Sequence, residues 1–182
     1  MGDTLKLGFV LTVICVIAAG SLAKVYDVTS VIIKKNEKEM DEKKRKEIIP
    51  DAVGFEEREV DGKTIYTGRD AEGKAIGSIF KIAPRGYAGP INAMIGVGDG
   101  GKILAVSITK LDQTETPGLG TKITGPKFRD QFKGKEDNDL KLKKDGGTID
   151  AITAATISSR AVANGVYEGI EWYKKAVASG QR

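Results

Sequence analysis

The run from Leu7 to Ala23, LGFVLTVICVIAAGSLA, carries no charge. Extended to Leu5 and Tyr26 it makes about 33 Å of helix, enough to cross the hydrocarbon core of a bilayer. Lys6 and Lys24 stand at its ends, where long cationic side chains reach the headgroups. A cleaved signal peptide is the alternative, but the run is longer than a signal core and the tail before it is only weakly basic. The pattern then turns polar: Lys34 to Glu47 holds seven basic and five acidic residues. That mixture predicts a solvated helical stalk with i,i+4 ion pairs, ended by Pro50. The chain divides into a tail and transmembrane anchor (1–26), a charged helical stalk (27–50) and a folded domain (51–182).

Within the domain, short apolar and β-prone stretches predict strands at Thr64–Tyr66, Ala75–Ile82, Ile91–Val97 and Ile103–Thr109. Asp61-Gly62, Glu72-Gly73 and Asp99-Gly100-Gly101 between them are turn signals. A short helix is expected over Pro126–Phe132, with Pro near its start, and a strand over Leu140–Lys143. Ile157, Ala161, Val162, Val166, Ile170, Tyr173 and Val177 recur at helical spacing, which predicts a closing amphipathic helix. Gly165 and Gly169 on it either weaken it or admit a close neighbour. The expected fold is α+β: an anchor helix, then an antiparallel sheet with packed helices.

Composition narrows the chemistry. There is no His, which excludes imidazole bases and His-liganded metals. One Cys, Cys15, lies inside the apolar run, so thiolate metal sites and iron–sulfur clusters held by this chain alone are excluded. No metal site is expected, and any redox role needs an organic cofactor. The formal charge of +4 does not imply a polyanion, and no nucleic-acid partner is expected. Lysines after the span outnumber those before it, a weak vote for a cytoplasmic domain that long translocated domains override.

Three stretches hold candidate chemistry. Gly96, Gly98 and Gly101 spell G-x-G-x-x-G, but a strand follows where a dinucleotide fold needs a helix, so this is a hairpin turn. In Glu115-Thr116-Pro117-Gly118-Leu119-Gly120, Pro and Gly favour a tight turn that holds Leu119 between two glycines. It is either an ordinary loop or a rigid one offering an apolar side chain and backbone donors to a flat ligand. Asp150-Ala151-Ile152-Thr153-Ala154-Ala155-Thr156 stands directly before the closing helix. It is a capped helix start, or a phosphate site on the positive end of that helix with a hydroxyl at Thr156 to carry the group.

Asp150-x-x-Thr153-Ala154-Ala155-Thr156 resembles the D-x-x-S/T-G/A-A-T attachment motif of the FMN-binding domain family. ETPGLG at 115–120 and Gly86-Tyr87-Ala88-Gly89 resemble two further hallmarks, in family order. With one N-terminal span and this length, the chain is similar to the G-subunit family of Rnf ion-translocating oxidoreductase complexes. Ala154 departs from the commoner Gly. The resemblance implies FMN joined by a phosphoester bond to Thr156, with Thr153, Ala154 and Ala155 along the phosphate and ribityl chain. It implies that Glu115, Thr116, Gly118, Leu119 and Gly120 flank the isoalloxazine. Tyr87 sits nearby on this reading; a buried core Tyr is the alternative. The resemblance assigns Asp150 to reading by the maturing transferase rather than to contact with the flavin.

The resemblance further implies an electron-carrying member, non-catalytic alone, of a complex coupling ferredoxin:NAD oxidoreduction to Na+ or H+ movement. Its partners would be other integral membrane subunits, a flavin transferase during maturation, and membrane lipid. The domain would lie on the extracytoplasmic side of the cell (inner) membrane, behind a single pass. The C subunit of sodium-translocating NADH:quinone reductase shares the motif but is generally longer. A membrane-anchored scaffold without cofactor is the alternative of another class.

Overall fold

The computed structural model describes residues 2–111 and 120–178. It divides into two compact units, Met1–Asp41 and Glu42–Arg182. Helix α1 spans Gly2–Ile48. Within the first unit its apolar side chains, among them Leu5, Phe9, Ile14 and Ile17, are exposed all round, as suits a helix solvated by lipid. It is the one helix among the described residues long and apolar enough to cross a membrane. Thr12 donates to the Gly8 carbonyl at 2.9 Å and Ser21 to the Ile17 carbonyl at 2.8 Å. Each hydroxyl inside the apolar run is thus satisfied by its own helix.

The second unit is built on a five-stranded antiparallel meander: β1 Gly54–Val60, β2 Lys63–Arg69, β3 Ala75–Ile82, β4 Asn92–Val97 and β5 Ile103–Lys110, in that spatial order. The predicted turns close three of its hairpins. Asp61 and Gly62 both take positive φ (51° and 72°), the combination a two-residue type I′ hairpin requires. Strand β1 is absent from the sequence expectation. Its GFEEREV is an edge strand with only Val60 buried, so no period-two alternation marks it.

Each face of the sheet is covered. On one, Ile48, Ile49 and Ala52, at the end of α1 and just beyond it, pack on Ile79 and Met94. The sheet receives them through missing side chains: a Cβ on Gly96 would lie 2.1 Å from Ile48 Cγ2. The Arg45 guanidinium lies over the Tyr66 ring, 4.3 Å from its centroid. Thus Ile48, the last residue of the helix, belongs to the domain's core, and Pro50 follows the helix end as expected.

The other face carries the main core, formed by Phe80, Ile95, Val97, Val106 and others against helix α3 (Thr156–Ala178). Val162, Val166 and Ile170 face the sheet as the spacing predicts, whereas Ile157 is 56% exposed and stands outside the core. Gly165 and Gly169 are close approaches: added Cβ atoms would lie 2.7 Å from Pro84 Cγ and 2.8 Å from Phe80 Cε2. Phe80 stacks on Tyr173 and meets Trp172 edge-on. The expected short helix is α2, Pro126–Arg129, continued by a 3-10 turn over Asp130–Phe132. The expected strand over Leu140–Lys143 is a correction. A 3-10 turn ends at Leu140, and only an isolated parallel bridge joins Leu142 to Ile149. Leu140 and Leu142 are apolar because both are fully buried core contacts, which alternation alone reads as a strand.

Candidate functional site

The segment before α3 is shaped by a few hydrogen bonds. Its entry is held by Gln131: the Asp150 amide donates to Gln131 Oε1 at 2.7 Å, and Gln131 Nε2 donates back to the Asp150 carbonyl at 3.4 Å. The side-chain amide thereby acts as a one-residue strand partner. The Asp150 carboxylate pairs with Lys143 Nζ at 2.8 Å. A tight turn follows, closed by the Ala155 amide donating to the Ile152 carbonyl at 3.0 Å. Its third residue, Ala154, has φ +63°, the left-handed region that such a turn demands and that Gly occupies most cheaply. The commoner Gly of the motif therefore has a backbone reason, and Ala here adopts the same conformation at a cost.

Thr156 opens α3 and is half-buried; Thr153 and Ala154 are exposed, and Ala155 is buried. A 23-residue helix beginning at Thr156 sets that residue at the positive end of its dipole, where an anionic group is favoured. Two buried hydroxyls in the first turn fix its surroundings. Ser159 Oγ accepts from the Ile152 amide at 3.1 Å and donates to the Ala155 carbonyl at 2.9 Å. Ser158 Oγ accepts the Tyr87 amide at 3.3 Å. This brings the Gly86–Gly89 turn, closed by the Gly86 amide donating to the Gly89 carbonyl at 2.8 Å, onto the start of the helix.

Tyr87 itself is 71% exposed, which overturns its reading as a core tyrosine. One turn beyond Thr156, Arg160 grips Asp145 through Nε at 2.7 Å and Nη2 at 3.1 Å. That hydrogen bond holds the Asp145 carboxyl below the ordinary carboxylate range, and the same bond raises the guanidinium.

Beside Thr153 opens a cleft of about 720 Å³. Its walls include Thr121, Lys122, Lys127, Gln131, Asp150 and Thr153. The volume falls within the range of pockets that hold cofactor-sized ligands. Two lysines and several hydroxyls suit an anionic, polar ligand, and Phe128 adds apolar surface. Gly120 is buried at the start of the 3-10 turn Gly120–Thr124, which supplies Thr121 and Lys122 to this wall.

Of the residues expected from the sequence, the structure thus gathers Thr153, Ala154, Ala155 and Thr156 at one helix start. It sets Gly120 at the head of a turn lining the cleft and anchors Tyr87 by its backbone. Glu115, Thr116, Gly118 and Leu119 lie outside the described residues. The sequence reading missed Ser158, Ser159, Gln131 and Lys143. The two serines were within reach, since hydroxyls at apolar-stripe positions in a helix's first turn signal local backbone bonding. Gln131 carries no such signal, because Asp150 is 19 residues away, and Lys143 meets Asp150 only across the intervening turns.

A family model described as FMN-binding domain matches residues 86–171, beginning at the Tyr87 turn and ending within α3. The G subunit of the ion-translocating oxidoreductase complex of Methanosarcina acetivorans is 34% identical, over 89% of this chain and 90% of that one. The G subunit of the proton-translocating ferredoxin:NAD(+) oxidoreductase complex of Clostridium ljungdahlii is 33% identical, over 88% and 86%. The Na(+)-translocating counterpart of Acetobacterium woodii is also 33% identical, over 93% and 91%. A crystal structure of the C subunit of Na(+)-translocating NADH-quinone reductase from Parabacteroides distasonis is 24% identical with a TM-score of 0.46, covering 57% of this chain and 59% of that one. The chain belongs to the family of G subunits of ion-translocating oxidoreductase complexes and carries its FMN-binding domain.

Proposed function

We propose that this chain is the electron-carrying flavoprotein of an Rnf-type membrane complex, with FMN held by a phosphoester bond to Thr156. The observation that carries the reading is the position of Thr156. It is the first residue of a 23-residue helix, three residues past a threonine that lines a cleft of about 720 Å³. A phosphate on Thr156 sits at the positive helix end, within reach of the exposed residues Thr153 and Ala154. Tyr87, on a turn tied to Ser158, flanks the same helix start. On this reading Gly120, with Glu115, Thr116, Gly118 and Leu119 before it, borders the ring.

FMN supplies one- and two-electron redox chemistry, which this His-free, single-Cys chain has no side chains to perform. The chain's own part is to bind, orient and shield. Lys122 and Lys127 place positive charge at the cleft wall, which favours anionic forms of a ligand there. The chain is non-catalytic alone. It passes electrons between membrane subunits of a complex that couples ferredoxin:NAD oxidoreduction to movement of Na+ or H+, the two ions for which its relatives are named. The helix from Gly2 anchors it by a single pass, with lipid around Leu7–Ala23 and the domain on the extracytoplasmic side. A flavin transferase makes the bond, and the tether keeps the cofactor from being lost there.

The test is direct. The chain made alongside a flavin transferase should give a flavin-fluorescent band after denaturing electrophoresis, and Thr156→Ala should give a dark one. Colourless native protein would instead favour an anchored scaffold in which 150–156 only starts a helix.

A further inference from the structure

We infer that Ser159 is a positioning residue for flavin attachment, holding Ala154 in its left-handed conformation and so fixing where the Thr156 hydroxyl is presented. The inference rests on the proposal that Thr156 is the attachment site. Ser159 is 0% exposed and its hydroxyl has one proton and one acceptor role in use. It donates to the Ala155 carbonyl at 2.9 Å and accepts from the Ile152 amide at 3.1 Å. Those are the two ends of the turn whose third residue is Ala154 at φ +63°. An L-residue with a Cβ disfavours that region by about 1–2 kcal/mol. Such a conformation persists only where the surroundings over-determine it. Two contacts at the turn oppose its relaxation, the turn's own Ala155–Ile152 hydrogen bond at 3.0 Å and the Ser159 clamp.

The bond that depends on this geometry forms between Thr156 Oγ and the FMN phosphorus. Direct condensation with FMN would have to expel water, so the donor is an activated phosphoanhydride, a flavin dinucleotide. Its pyrophosphate linkage breaks as the ester forms, a nucleoside monophosphate leaves, and the hydroxyl proton passes to solvent. No electrons move. A transferase working on a second protein needs the nucleophile fixed in space, and small misplacements of a reacting group cost orders of magnitude in rate. Without the clamp, Ala154 relaxes out of the left-handed region and only a fraction of chains present Thr156 correctly. The loading rate falls by that fraction.

The experiment compares four full-length chains: wild type, Ser159→Ala, Ala154→Gly, and the two together. Each is co-expressed with a flavin transferase, and covalent FMN is followed by intact mass during a short induction. Amide exchange is measured on the same purified proteins. Ser159→Ala should load about tenfold more slowly and lose protection across 150–156. Ala154→Gly sets the reference rate for the pair: the double variant should load within about threefold of Ala154→Gly alone, because Gly holds a positive φ unaided. Ser159→Cys, nearly the same size with a weaker donor and acceptor, should load at an intermediate rate, and it serves if the alanine variant fails to fold. Wild-type loading by Ser159→Ala or Ser159→Cys, or no rescue by Ala154→Gly, overturns the inference; a purely structural Ser159 would lower the melting temperature equally with and without Ala154→Gly and leave loading unchanged. An unmodified wild-type chain, or loading that survives Thr156→Ala, defeats the attachment site itself instead.

Discussion

The backbone amide of Tyr87 donates to the hydroxyl of Ser158, 71 residues later, at 3.3 Å. This bond joins the Gly86–Gly89 turn to the first turn of α3. It places the only exposed aromatic of that turn beside the helix start that begins with Thr156. Ser158→Ala leaves the Tyr87 donor without that acceptor in a partly buried place, at a cost of about 1 kcal/mol. A drop in melting temperature of roughly 2–4 °C is expected for a chain of this size. Tyr87→Phe keeps the amide and should melt as wild type does. Thermal unfolding followed by circular dichroism checks both.

Ala154→Gly should stabilise the protein. The left-handed region costs an alanine about 1–2 kcal/mol, part of which Gly returns as extra freedom of the unfolded chain. A net gain of about 0.5–1 kcal/mol is expected, read as a higher denaturant midpoint at unchanged slope. Equal midpoints would show that the φ of +63° carries no strain.

On α3 two effects of Gly169→Ala oppose each other. Helix propensity gains about 1 kcal/mol. Against it, the new methyl would lie 2.8 Å from Phe80 Cε2 and 3.0 Å from Ile82 Cγ2, both in the packed interface with β3. Overpacking of that kind costs about 1–3 kcal/mol. The net effect is destabilising, and Gly169→Ala should unfold at lower denaturant than wild type. A rise in stability would mean that the helix and sheet yield without cost.

The Arg160–Asp145 pair gives a pH signature. The hydrogen bond from Arg160 lowers the Asp145 carboxyl in the folded state, so its contribution is present above the ordinary carboxylate range. It is lost as pH falls through the lowered folded value. Asp145→Asn should therefore separate from wild type at neutral pH and converge with it in acid. A melting-temperature difference that stayed constant from neutral to strongly acidic pH would contradict this assignment. The pair is exposed, so the effect is modest.

Leu119→Ala tests the ETPGLG stretch, of which only Gly120 is among the described residues. If that loop borders the flavin ring, the variant should still load on Thr156 but shift the midpoint potential, because burial around a cofactor tunes its electronics. Superimposable redox titrations and spectra would remove the loop from the site.

What the sequence made legible follows from how locally each feature is determined. Strand β3 was readable to the residue, since Ala75–Ile82 is rich in apolar and β-prone residues, with Glu72-Gly73 before it and Pro84 after it. The Asp61-Gly62 hairpin was readable because its positive φ values restrict the residue choice. Strand β1 was not, because an edge strand in which only Val60 is buried shows no alternation. Leu142 misled, because burial against a distant segment produces the same letters as a strand. In the site, Thr156 was legible as a motif, whereas the reason for Gly or Ala beside it appears only in the turn geometry. The Gln131 bond to Asp150 spans 19 residues and depends on how α2 packs, which no local pattern encodes.

If one side-chain oxygen, Thr156 Oγ, carries the flavin, fragmentation mass spectrometry of the peptide containing residues 150–160, from chain made alongside a flavin transferase, locates the adduct on it. The predicted result is an FMN phosphoryl ester on the fragment ions that retain Thr156, none on those holding Thr153 without it, and loss of the adduct in Thr156→Ala. An unmodified peptide in flavin-bearing protein, or an adduct on Thr153, would contradict the claim.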